Sequence, residues 1–143
     1  MTTATDIIRD TFDAEQEQLE ATLHGIMDAV QSKDFARLAA HHLYSPKFTK
    51  FDDFEPLDRQ DAATAQQSEE EGLGGVENFH YQLDDLKVDV FGPVAIATFV
   101  FGYGFDADGE AMSVRARSTM VFVNDNESWK IAHEHFSPFK SNP

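Results

Sequence analysis

His133 and His135 stand two apart in the run Trp129-Lys130-Ile131-Ala132-His133-Glu134-His135-Phe136-Ser137. On a strand, residues two apart share a face, so the two imidazoles point the same way. Three outcomes fit such a pair. It can chelate a metal ion, with His80 as a third ligand. It can supply a general base and its neighbour. It can also be a hydrogen-bonded, unreactive part of a sheet face. We take both residues as catalytic candidates and expect no metal.

Arg115 and Arg117 share a strand face in the same way. Turned inward, they would form an anion-binding wall for a carboxylate ligand. A four-residue turn at Asn124–Glu127 would set Arg117 opposite Glu134 and Arg115 opposite Phe136. The outcome is then an Arg117–Glu134 cross-strand ion pair. The same register places Met120 and Phe122 beside Trp129 and Ile131, and His133 beside Ser118. A one-residue bulge would reverse which set the arginines join. Asp53, in the pair Asp52-Asp53, is the remaining catalytic candidate, a general base or else half of a solvated turn pair. His41-His42 close a helix, where an imidazolium is favoured by the helix dipole. Gly72-Leu73-Gly74-Gly75 lacks the Lys and Ser/Thr of a phosphate loop and is taken as a hinge.

These groups need elements to hold them. Ile8, Phe12, Leu19, Leu23, Ile26 and Val30 recur at steps of three, four or seven, which predicts a helix from about Thr5 to Gln31. Ser32 is an N-cap for a short second helix over 33–42. Phe48–Phe51 is a short strand. Asp58 with Asp61 resembles a capping box and starts a third helix that ends at Gly72. Its apolar side is mostly alanine, so a loosely held cover is expected. Strands follow near 77–90, 94–105, 112–123 and 128–137, with turns at Asp108-Gly109 and Asn124–Glu127 and a bulge at Asp84-Asp85. Helices first and an antiparallel meander after make an α+β fold. The strand from Val94 to Phe105 is apolar on both faces, so both should be covered. Helices can cover one, and a second copy of the chain is the expected cover for the other.

The chain has 143 residues, which sets one domain over 1–143. It has no cysteine, so thiolate chemistry and disulfides are excluded. Lys plus Arg number 11 against 26 Asp plus Glu, for a net charge of −15. That charge argues against nucleic acid and anionic membranes as partners. With 13 phenylalanines and 41% hydrophobic residues, disorder is excluded as well. No signal-like or membrane-spanning run is visible, and a cytoplasmic location is expected.

The element order resembles the nuclear transport factor 2-like cone. The final run Trp129–Ser137 resembles the last strand of SnoaL-like domains, in which a Trp is followed by an aliphatic residue, a His-x-His pair and a Ser. The association domain of calcium/calmodulin-dependent kinase II ends similarly. Val88-Asp89-Val90-Phe91-Gly92-Pro93-Val94-Ala95 is similar to the family's valine-rich strand, turn and alanine-bearing strand. The resemblance implies a conical, mostly apolar pocket between helices and sheet. Ketosteroid isomerase-like members abstract a proton with an Asp and stabilise the enolate with a Tyr and a protonated Asp. No such set maps residue by residue onto this chain. Tyr44, Tyr81, Tyr103 and Trp129 join Arg115 and Arg117 as ligand-binding candidates. Two functions follow from the resemblance. One is a small-molecule pocket protein of the SnoaL-like type doing cofactor-free acid/base chemistry of the isomerase, cyclase or dehydratase class, on a small apolar or carboxylate-bearing ligand. The other is a non-catalytic ligand-binding or dimerisation module. Neither requires a cofactor, and a homodimer is the expected assembly.

Overall fold

The computed structural model describes residues 6–139. Its elements are α1 (Asp13–Ser32), α2 (Phe35–Ala40), β1 (Thr49–Phe51), α3 (Ala62–Gly74), β2 (Glu77–Phe91), β3 (Val94–Ala107), β4 (Glu110–Asn124) and β5 (Trp129–Pro138). The strands form one curved sheet in the order β1-β5-β4-β3-β2. Every pairing is antiparallel except β1 with β5. This is the expected α+β arrangement of three helices on a mostly antiparallel sheet.

The helix boundaries differ from the spacing argument. Thr5 lies outside the described residues, and 6–12 are not helical. The Asp6 carboxylate accepts the N–H groups of Ile8 and Arg9, each at 3.1 Å, and the Asp10 carboxylate accepts that of Phe12 at 3.0 Å. These local bonds compete with the helical ladder. Ile8 is accordingly 82% exposed rather than part of the stripe. For α2 the N-cap is Asp34, which accepts from Arg37, not Ser32. For α3 it is Asp61, which accepts from Thr64, so Asp58 lies outside the helix.

The sheet follows its alternation closely. Asp108 and Gly109 both have positive φ, 52° and 80°, as a tight hairpin turn demands. The Asp84-Asp85 bulge is present, with Asp85 at φ 54° and a register shift before Lys87. On β3, Ala95, Ala97, Phe99 and Phe101 are buried under the helices. They pack with Leu19, Leu23, Ile26 and Met27 of α1 and with Met120 and Phe122 of β4. Each large side chain in this set contributes about 1.5–3 kcal/mol by leaving water. The alternate residues Val94 and Ile96 face outward at 36% and 37% exposure.

One irregularity decides the site. The β4–β5 register shifts between Val121 and Phe122, because β5 spends two residues, Ala132 and His133, where β4 spends one. Phe122 pairs with Ile131, Val121 with His133 and Met120 with Glu134. Met120, Phe122, Trp129 and Ile131 share one core, as expected. The turn lies one residue later than expected, at 125–128, with Asn124 paired to Trp129, and this shift and the bulge together change the expected partners. Arg117 lies opposite Ser137 rather than Glu134, and His133 lies opposite Val121 rather than Ser118. Arg115 bonds through its carbonyl to the Phe139 N–H at 3.1 Å instead of facing Phe136.

Candidate active site

Between the helices and the concave face of the sheet lies a cavity of about 730 Å³. This is the size range of small-molecule sites. Ile26, Met27 and Val30 of α1 form one apolar wall, and Phe79, Phe101, Tyr103 and Phe105 of the sheet form another. The remaining wall is charged. His42, Lys50, Asp52, Asp53, Glu69 and Glu134 all line it.

The charged wall follows from strand register. β1 runs parallel to β5, with Lys50 directly opposite Glu134. Alternation puts Lys50 on the same side as Phe48, which is 2% exposed, so the lysine is carried inward with the phenylalanine. Lys50 Nζ lies 3.0 Å from Glu69, 3.4 Å from Glu134 and 3.6 Å from Asp52. Glu69 sits one helical turn after Ala65, the one buried residue of α3, and so shares its inward face. The ion pair with Lys50 therefore fastens a helix whose alanines offer little. His42 follows α2. Its Nδ1 lies 2.9 Å from the Leu38 carbonyl, and its Nε2 lies 3.1 Å from Glu134 and 3.5 Å from Glu69.

These contacts set the protonation states. Burial alone would lower the His42 pKa, but Glu134 and Glu69 outweigh it and raise it well above 6.5. Lys50 is likewise raised, because burial is outweighed by Glu134, Glu69 and Asp52. Glu134 is pushed down despite complete burial, by Lys50 and then His42. His42, Lys50 and Glu134 are thus ionised together. Asp53 behaves differently. Burial, a hydrogen bond with Asp52 and the Asp52 charge raise its carboxyl to about 6. Tyr103 is raised by burial and by the charges of Asp53 and Asp52, so its hydroxyl stays neutral and can donate.

Of the sequence candidates, Asp53, Tyr103 and Arg115 line this cavity. Arg115 is exposed, with its guanidinium 4.4 Å above the Phe139 ring. His133 and His135 lie on the opposite face of β5. His133 meets the Thr49 hydroxyl at 2.8 Å, and both rings pack on Phe51. His135 and Arg117 line a second depression of about 360 Å³ on that outer face, with Thr119, Ser137 and Asp85. Tyr44 is 71% exposed, and Tyr81 donates to Asp28 at 3.1 Å. Trp129 is buried in the core beside the sheet.

The residues that sequence reasoning missed are Lys50, Glu69 and Glu134, together with the inward reach of His42. The helix-end role expected for His42 is half of its environment, since its other nitrogen faces carboxylates. Among the described residues, His42, Glu69 and Glu134 bring one ligand atom each within 4.8 Å of one another, a spacing that could hold a metal ion. Lys50 already places an ammonium against both of those carboxylates. No helix among the described residues is long and apolar enough to cross a membrane.

The fold recurs widely. A protein of Streptomyces avermitilis, provisionally named a dehydratase of the NTF2-like family, superposes with a TM-score of 0.82 at 20% identity, over 90% of this chain and 99% of that one. An NTF2-like superfamily protein of Salmonella enterica gives 0.79 at 16% identity, over 92% and 95%. The association domain of C. elegans CaMKII gives 0.72 at 20% identity, over 90% and 99%. At these identities the likeness is one of fold. No curated protein matches the sequence. The SnoaL-like domain matches residues 19–141, and the chain belongs to that family.

Proposed function

We propose that this protein binds a small molecule in the concave cavity and moves a proton on it without a cofactor, with Asp53 as the general base. The observation that carries this is a carboxyl group in an apolar-walled cavity whose pKa is raised to about 6, near the pH at which it would work. In the proposed step the Asp53 carboxylate takes a proton from a carbon next to a carbonyl. The C–H pair becomes a C=C bond, the carbonyl π pair moves onto the oxygen, and the neutral Tyr103 hydroxyl donates a hydrogen bond to the developing oxyanion. Return of the proton to the far carbon of a conjugated enolate gives isomerisation, and expulsion of a β-hydroxyl, which takes the proton back from Asp53 and leaves as water, gives dehydration. Lys50 holds Asp52 at 3.6 Å, beside the Asp53 carboxyl that Asp52 helps to raise. His133 and His135 take no part in this step.

The test is deuterium exchange at the α-carbon of small apolar ketones in D₂O, followed by NMR. Exchange should rise with pH through about 6 and fall by about 10²–10⁴-fold in Asp53→Asn. Equal exchange in the variant and the parent protein would defeat the proposal.

We further propose that the chain pairs with a second copy through the outer face of the sheet. Val94 and Ile96 of β3 are exposed there, as is Phe51 at 38% on the edge strand β1, and the association-domain relatives favour assembly. A two-fold pairing covers both faces at once. Light scattering coupled to gel filtration should give two chains. The mass of one chain would reject the pairing, and a mass several-fold above two would indicate a ring.

A further inference from the structure

We propose that the cavity takes an organic cation, a protonated or quaternary amine carried on an apolar body. The inference rests on the concave cavity being the binding site and is independent of turnover. Its first support is charge balance. Asp52, Asp53, Glu69 and Glu134 line the cavity with only Lys50 and His42 set among them. Carboxyl groups therefore outnumber the cations of that wall. The remaining cation of the lining, Arg115, is exposed and stacks on Phe139 at 4.4 Å.

The second support is unsatisfied acceptor capacity. Glu134 is 3% exposed, and its Oε2 has no hydrogen-bond partner among the described residues. Lys50 Nζ stands 3.4 Å away as an ion pair. That oxygen keeps acceptor capacity for a donor brought by a ligand.

The third support is the opposite wall. Tyr103 stacks on Phe79, Phe101 and Phe105, with centroids 4.9 to 6.2 Å apart. This wall offers apolar surface to the body of the ligand, and the carboxylates supply the counter-charge for its cationic head. An anionic head at the same wall would meet like charge, and a neutral one would leave the excess unbalanced. The cavity thus selects by charge at one end and by apolar fit along the rest.

Three probes with one apolar body test this by calorimetric titration: phenylbutylamine, phenylbutanol and phenylbutyrate. The amine should bind about 10-fold or more tighter than the alcohol, and the carboxylate weakest. In Asp53→Asn the advantage of the amine over the alcohol should shrink, while alcohol binding stays within about 2-fold. Equal binding of amine and alcohol to the unmutated protein would overturn the inference and leave the binding cavity standing. Tighter binding of phenylbutyrate, lost in Arg115→Gln, would overturn it in favour of an anion. Failure of all three probes to bind would reject the cavity as the site and the inference with it.

Discussion

Glu134 and the histidines that flank it occupy three consecutive positions of β5, yet they meet opposite surroundings. Glu134 is 3% exposed and shares its space with Lys50, His42 and Glu69. His133 and His135 face outward, against Thr49 and Phe51. The inner group is a network in which each charge depends on the others for solvation, since water has been removed. The outer pair is supported by solvent and by one aromatic ring. The same side-chain types therefore carry very different energies on the two faces.

The largest expected effect lies on the inner side. Lys50→Met leaves Glu134, Glu69 and Asp52 without their shared cation and should cost about 3–5 kcal/mol in denaturant unfolding. A loss below about 1 kcal/mol would mean that the cluster is solvated like an exposed pair. Next comes the pH profile of stability. The His42 pKa is raised on folding, so its stabilisation is full below 6.5 and is lost as pH rises through its folded value. Glu134 is depressed, so its stabilisation is full above 4.5 and is lost as pH falls toward its folded value. Melting temperature should therefore fall on both sides, and His42→Gln should remove the alkaline decline while the acid one remains.

A smaller effect of opposite sense is expected at Asp53. Its carboxyl is raised from 3.8 to about 6, so folding favours the protonated form and stability declines as pH rises between those values. Asp53→Asn should flatten that stretch and melt above the parent protein at pH values beyond 6. A variant that tracks the parent across the range would show that Asp53 titrates as if in solvent. The smallest effects belong to the outer face. His133→Ala should cost about 1 kcal/mol or less, the value of its hydrogen bond to Thr49, and His135→Ala about 0.5 kcal/mol or less. Both should leave probe binding in the cavity unchanged. A large loss of binding in either would erase the contrast between the faces.

The long strands and the Asp108-Gly109 turn were legible because alternation over ten or more residues leaves little freedom, whereas the last turn falls at 125–128 rather than 124–127. The start of α1 was not. Ile8 and Phe12 continue its spacing, but the carboxylates of Asp6 and Asp10 bind the local backbone instead. In the site, Asp53 and Tyr103 were legible as residue types near a pocket. Glu134 was hidden by its neighbours, because the histidines drew attention to the wrong phase of the strand. Lys50 could have been found: it stands two residues after Phe48 in a short strand, in phase with a buried ring. The contact of His42 with Glu134 spans 92 residues and has no local signature.

The spare residue at Ala132 separates the length of the last strand from the identity of its inner face. In a regular strand, deletion of one residue inverts every side chain beyond it. Here the bulge already holds one residue more than β4 needs. Deleting Ala132 would straighten the strand and leave Glu134 and Phe136 pointing inward, whereas an insertion beside it would force the strand to store a second kink or to turn the histidines into the cavity. The chain is thus buffered against shortening at this point and sensitive to lengthening. That asymmetry belongs to the backbone alone, whatever side chains the strand carries.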